Sequence, residues 1–210
     1  MFDRVLTVDW SGRSKPSPVA PCADAIFTCY GDQTTLSHPI YHRTRQSAMD
    51  YIHTVVETAR DQKGTTLIGF DFSFGYPRGF AEHLTGSRDI RSLWRCLADR
   101  IQDDAQNANN RFQVAADING MFPGVGPFWG APANVQYADL PHKGSQRQGH
   151  GLPEFRATED GIRARNPVGN CLRQALSGRR RYWELHDCIS WFLGSLIFIF
   201  GPLTGRSHLA

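Results

Sequence analysis

The sequence predicts an α/β fold on a mixed sheet, in which three antiparallel strands precede a crossover helix and a parallel strand. Two observations carry this prediction. Four short runs with strand character occupy residues 4–9, 25–30, 34–41 and 66–71. Apolar residues with a helical period lie between the third and fourth runs. A right-handed crossover through that helix would place the first and fourth strands side by side.

The helices are predicted from apolar residues that recur every three or four positions. The crossover helix begins at Thr44 or Ser47 and ends near residues 63–64, where a glycine supplies the usual stop. A short helix is predicted over residues 78–84, and a longer amphipathic helix over residues 88–105. Helices in these places would cover the predicted sheet and supply the rest of the core.

An aromatic loop is predicted over residues 121–132, because three glycines and three prolines exclude regular structure there. Phe128 and Trp129 in this loop suit two roles. They can stack on a base or ring of a ligand, or they can cover the core beneath a long loop. The sequence leaves both roles open.

Two aspartates end two of the predicted strands, each just before turn-forming residues. Asp9 precedes Trp10–Gly12, and Asp71 precedes Phe72–Pro77. If the strands are neighbours, both carboxylates face one crevice beyond the strand ends. Close carboxylates repel unless a proton or cation lies between them, and Mg²⁺ or Mn²⁺ prefers oxygen ligands. Turn capping explains either aspartate alone, but their repetition favours a metal site.

Composition limits the class of protein. A chain of 210 residues predicts one domain, and a net charge of +3 is too small to indicate nucleic-acid binding. The basic segment between Lys143 and Arg181 would track phosphates or form a solvated face. Five scattered cysteines without a Cys-x-x-Cys pair predict reduced thiols rather than a disulfide framework or zinc site.

The expected location is the cytoplasm, because the first residues show no signal-peptide pattern. The apolar run Ile189–Leu203 is shorter than the ~20 residues that cross a bilayer. We therefore expect no membrane association. The sequence carries no signal for a particular oligomeric state.

Five short motifs carry a family resemblance. They are Val8–Ser11, Gly69–Pro77, Asn109–Phe112, Gly126–Gly130 and Arg156–Glu159. They resemble a bacterial family of unknown function that is grouped with predicted ribonuclease H-like nucleases. The resemblance covers residues 2–170, and some relatives are labelled cobalamin- or molybdopterin-cofactor biosynthesis proteins.

The resemblance implies a ribonuclease H-like fold with catalytic acids on the first strand, the fourth strand and a later helix. Asp9 and Asp71 match the first two acids by position and local sequence. Glu159 is the candidate third carboxylate, although surface charge or a helix-cap partner in the turn of residues 158–161 explains it slightly better. Asp9 and Asp71 would then hold Mg²⁺ or Mn²⁺.

The expected function is metal-dependent phosphodiester hydrolysis, with a nucleic acid or a phosphorylated small molecule as substrate. Ser11 or Ser73 would position a phosphate, Arg111 or Arg156 would pair with its oxygens, and Trp129 would stack on a base or ring. Two alternatives stay open. The chain is a truncated, non-catalytic member, or it is a small-molecule or cofactor-biosynthesis protein on the same fold.

After Pro167 the chain departs from the family pattern. Codons for this stretch can also encode, in another reading frame, an amino-acid sequence close to that of the family. We therefore hypothesise a frameshift near residues 167–173, with a ribonuclease H-like domain over 1–170 and an atypical tail over 171–210. The fold would then be incomplete at its C-terminus. The nucleotide sequence tests this hypothesis, because codons incompatible with the second frame would exclude it.

Overall fold

The computed structural model describes residues 2–72 and 75–157. The chain divides into two compact units. Within the described residues, the first unit contains residues 2–72 and Gln102–Asn109, and the second contains residues 75–101 and 110–157. The hypothesised frameshift and the tail after residue 170 lie outside the described residues.

The first unit is built on a four-stranded sheet with the strand order β3-β2-β1-β4. The strands are β1 (Arg4–Asp9), β2 (Ile26–Asp32), β3 (Ile40–His42) and β4 (Thr66–Phe70). β2 pairs antiparallel with both β1 and β3, whereas β4 pairs parallel with β1. The predicted α/β class and mixed sheet are therefore confirmed.

Helix α1 (Arg45–Asp61) makes the crossover from β3 to β4. It begins as predicted at Thr44, whose hydroxyl accepts a hydrogen bond from the Ser47 N–H at 3.1 Å. Its apolar stripe is buried, and so is the inner face of β1. The stripe consists of Ala48, Met49, Ile52, Val55 and Ala59, and the β1 residues are Leu6 and Val8.

The third strand is much shorter than the predicted run of residues 34–41. Asp32 turns the chain, because its Oδ1 accepts hydrogen bonds from the N–H groups of Thr34 and Thr35 at 2.9 and 2.8 Å. Only an isolated bridge at Leu36 follows this turn. Pro39 has no N–H to donate to a ladder, and regular pairing begins just after it.

The second unit contains helices α2 (Phe80–Thr85), α3 (Ile90–Arg100) and α4 (Arg111–Asn119), and a short 3-10 helix (Gly144–Gln146). Helix α4 was not predicted. All three α-helices contribute to one apolar cluster with residues of the later loops. The buried members of the cluster include Phe80, Leu93, Leu97, Val114, Ile118, Phe122, Phe128 and Leu140.

Helix α3 ends at Arg100, five residues before the predicted end at residue 105. The chain turns around Asp104, whose Oδ1 accepts hydrogen bonds from the N–H groups of Gln106 and Ala108, both at 2.8 Å. A side chain that binds nearby backbone N–H groups in this way competes with the helix. The segment Gln102–Asn109 belongs to the first unit.

The predicted loop over residues 121–132 contains no helix or strand. No helix in the described part of the chain has the length and apolar character needed to span a membrane. The run Ile189–Leu203 lies outside that part.

Candidate functional site

The structure brings Asp9 and Asp71 together at one end of the sheet. β1 and β4 are parallel neighbours with Val8 opposite Phe70. Asp9 is the last residue of β1, and Asp71 is the first residue after β4. The Asp71 N–H donates to the carbonyl oxygen of Val8 at 3.3 Å, which extends the pairing by one residue. Asp9 is exposed, in alternation with the buried Val8.

The pKa of Asp71 is shifted by its surroundings. Partial burial of its carboxyl group raises its pKa from 3.8 to about 6. The Trp10 N–H opposes this increase by donating to Asp71 Oδ1 at 3.0 Å, whereas a hydrogen bond and negative charge from Asp9 add to it. Below about pH 6 the pair therefore retains a proton, and above it two negative charges face each other.

The aromatic residues beside the aspartates explain this local geometry. Trp10 is only 2% exposed, and its ring makes edge contacts with Phe70 and Phe72 at 5.9 and 6.3 Å between centroids. A buried indole anchored in this way fixes its own backbone. The Trp10 N–H is consequently held in place to donate to Asp71.

Removing the Asp71 charge should change stability in a pH-dependent manner. The folded protein binds this proton more tightly than the unfolded chain, so the free energy of unfolding falls as pH rises from 3.8 to about 6. We expect Asp71→Asn, which retains an oxygen for the Trp10 N–H, to raise Tm at pH 8 but not at pH 3.5. Thermal unfolding of both proteins at the two pH values measures this effect. Equal Tm differences at both pH values would contradict the pKa shift.

The donor set suits a small divalent cation. Two carboxylates offer hard oxygen ligands, and Mg²⁺ commonly binds to one or two carboxylates while it keeps several water ligands. Among the described residues, no group of three or more His, Cys, Asp or Glu side chains could hold a metal ion. Glu159, the predicted third carboxylate, lies outside those residues.

Ser11, a predicted phosphate ligand, is buried near the same end of β1. Its hydroxyl donates to the carbonyl oxygen of Asp24 at 2.6 Å and accepts from the Arg13 N–H at 3.4 Å. The hydroxyl therefore organises the chain after β1, and a phosphate contact by Ser11 stays a prediction. Ser73, the alternative serine, lies outside the described residues.

The other predicted ligand residues, Arg111, Trp129 and Arg156, belong to the second unit. Arg111 is 4% exposed, and its guanidinium lies 4.7 Å from the centroid of the Phe112 ring. Trp129 is half-buried, with the Arg147 guanidinium 5.9 Å from the centroid of its ring. Arg156 is also half-buried. Their roles in substrate binding stay predictions.

Phe128 covers the core, which is one of the two roles that the sequence left open. Its side chain is 7% exposed and packs at 5.4 Å from Phe80 between ring centroids. Asn119 holds its backbone, since the Asn119 amide accepts from the Phe128 N–H at 2.8 Å and donates to its carbonyl oxygen at 2.9 Å. The ring is thereby fixed inside the second unit.

Sequence reasoning missed a buried ion pair near the candidate site. Arg45 Nε and Nη2 donate to the two carboxylate oxygens of Asp103 at 2.7 and 2.5 Å, and both side chains are 0% exposed. Arg45 Nη1 also donates to the carbonyl oxygen of Arg13 at 2.8 Å. An arginine at the start of a predicted helix normally indicates a solvated position, so no sequence signal distinguished this pair.

Cys22, Cys29 and Cys96 are free thiols in the described part of the chain. Cys171 and Cys188 lie outside the described residues.

Comparison with known proteins found no matching family model, curated protein or solved structure. The resemblance to predicted ribonuclease H-like nucleases consequently stays a proposal, and it depends on the motifs and on the sheet topology.

Proposed function

We propose that this chain is a ribonuclease H-like hydrolase that cleaves phosphodiester bonds with a divalent cation held by Asp9 and Asp71. The parallel pairing of β1 with β4 is the observation that carries the proposal, because it ends in two adjacent carboxylates. A pair of like charges at one rim needs a proton or cation for stability. The motif resemblance over residues 2–170 supports the same reading.

Each residue of the proposed site would have a separate role. Asp9 and Asp71 would hold Mg²⁺ or Mn²⁺, while the Trp10 N–H keeps the Asp71 carboxylate in one orientation. When bound, the cation would activate a water molecule and neutralise the negative charge that develops on the phosphate. The substrate would be a nucleic acid or a phosphorylated small molecule.

Titration with Mn²⁺ tests the site directly. We expect the wild-type protein to bind the ion, and Asp9→Asn and Asp71→Asn to weaken binding by at least about tenfold, since even losing groups that orient metal ligands costs about 10- to 100-fold. Asp61→Asn is the matched control, because Asp61 is an exposed carboxylate at the last position of α1, before β4 begins. Isothermal titration calorimetry measures all four affinities. Similar affinities in all four proteins would contradict a shared site.

An activity assay separates hydrolysis from binding alone. Single- and double-stranded oligonucleotides are incubated with Mn²⁺ and the wild-type, Asp9→Asn and Asp61→Asn proteins. Cleavage that depends on Asp9 but not on Asp61 supports the proposal. Ion binding without cleavage would favour the non-catalytic alternative.

A further inference from the structure

The segment that follows β1 is anchored through its backbone. Arg45 donates to the carbonyl oxygen of Arg13 at 2.8 Å, and Asp103 holds Arg45 from the other side through two hydrogen bonds. The Asn107 amide donates to the carbonyl oxygen of Lys15 at 3.4 Å. Because the Arg45 and Asp103 side chains are 0% exposed, solvent does not compete for this anchor. The backbone of this segment is therefore held in place.

Arg13 lies at the end of the sheet that carries the two aspartates. Its guanidinium pairs with Asp24, which is just before the start of β2. β2 runs antiparallel to β1 with Phe27 opposite Asp9, so β2 begins at the rim where β1 ends. The Arg13 N–H also donates to Ser11, two residues after Asp9. These two contacts of Arg13, together with the register of β2 on β1, place Arg13 at this rim.

The ion pair between Arg13 and Asp24 is open to exchange. The two charged groups are 3.6 Å apart, and the Asp24 side chain is 83% exposed while that of Arg13 is 36% exposed. Water and salt screen a pair of this kind, so it contributes little to stability. A phosphate group offers a guanidinium two parallel charged hydrogen bonds instead of one long contact. Phosphate would therefore compete well with Asp24 for Arg13.

We infer that Arg13 binds a phosphate group of the substrate at the rim occupied by Asp9 and Asp71, with Asp24 as its counterion when no substrate is bound. This inference rests on the proposed function, because an anion approaches the two carboxylates only after their charge is neutralised. The ligand class is a phosphate monoester or diester.

The test removes the negative charge of the two carboxylates by mutation rather than by a bound cation, so that it does not depend on metal binding. In the full-length Asp9→Asn/Asp71→Asn double variant, both negative charges are absent, and inorganic phosphate is titrated by calorimetry. Adding Arg13→Gln should weaken phosphate binding by about tenfold or more. Adding Asp24→Asn should strengthen it by about two- to fivefold, the range that a weak surface pair contributes. Arg13→Lys, which retains the charge but not the planar fork, should fall between wild-type Arg13 and Arg13→Gln.

The matched control is Arg60→Gln. Arg60 also forms an exposed ion pair, with Glu57 at 3.1 Å, but it lies in the last turn of α1. We expect this change to leave phosphate affinity unaltered. Equal phosphate affinities of the Arg13→Gln and Arg60→Gln proteins, or an absence of phosphate binding by the double variant itself, would overturn the inference. Circular dichroism of every variant confirms that the comparison is between folded proteins.

Failure of the inference and failure of the proposed function give different results. If the wild-type protein neither binds Mn²⁺ nor cleaves oligonucleotides, the proposed function is wrong, whatever Arg13 does. If it does both but Arg13→Gln leaves phosphate binding by the double variant unchanged, only the inference is wrong. A KM that rises while kcat is retained would support the role of Arg13 in substrate binding.

Discussion

Asp103→Asn is expected to lower the free energy of unfolding by about 3–5 kcal/mol, because it leaves the buried Arg45 guanidinium without its counter-charge. The Arg45–Asp103 pair is fully buried and joined by two hydrogen bonds. Asparagine matches aspartate in size, so the change removes charge without opening a cavity. Since native stability is typically about 5–15 kcal/mol, this loss is a large fraction of the whole. Urea denaturation at pH 7 measures it.

Glu57→Gln is the control for this experiment. It breaks the pair between Arg60 and Glu57, whose side chains are 67% and 58% exposed. Solvent-exposed pairs contribute about 0–1 kcal/mol, so the control should change stability very little. If Asp103→Asn destabilised the protein no more than the control does, the buried pair would not contribute substantially to stability.

A double variant tests whether charge alone explains the effect. Arg45→Met with Asp103→Leu removes both charges, and such replacements often restore stability. Here we expect only partial recovery. The Arg45 guanidinium also donates to the carbonyl oxygens of Arg13 and Asn107, at 2.8 and 2.7 Å, and methionine leaves both acceptors without that donor.

Mn²⁺ affinity is expected to fall by about tenfold for each pH unit below about 6, because a proton must leave Asp71 before the ion binds. Above this pH the carboxyl is ionised and affinity should level off. Partial burial is the main cause of the raised pKa, and the neighbouring Asp9 adds to it. Calorimetric titrations at pH 5, 6, 7 and 8 measure the profile. An affinity that is constant between pH 8 and pH 5 would contradict competition between the proton and the ion.

Asp9→Asn provides an internal check on this profile. Without the negative charge of Asp9, the pKa of Asp71 should move back towards its ordinary value. The remaining, weaker Mn²⁺ binding should then persist to lower pH than in the wild-type protein. A pH midpoint that stays near 6 would show that Asp9 has no influence on Asp71.

Local sequence patterns were sufficient to predict the positions of the elements with strong local signals. β1, α1 and β4 lie where alternating apolar runs, a capping threonine and a helical stripe predict them. The handedness of crossovers then predicts that β1 and β4 are neighbours. β3 and the end of α3 were predicted less well, since the side chains of Asp32 and Asp104 bind nearby backbone N–H groups. Such short-range competition is not visible in apolar periodicity.

The sequence by itself determined where the carboxylates of Asp9 and Asp71 lie along their strands and, through the crossover rule, that they share one rim. Only the tertiary structure decided which cationic groups surround that rim. Arg45 and Asp103 are 58 positions apart, their side chains are fully buried, and they anchor Arg13 through its backbone. Charged residues are normally solvated. A buried pair of them becomes recognisable only when folding brings the partners together.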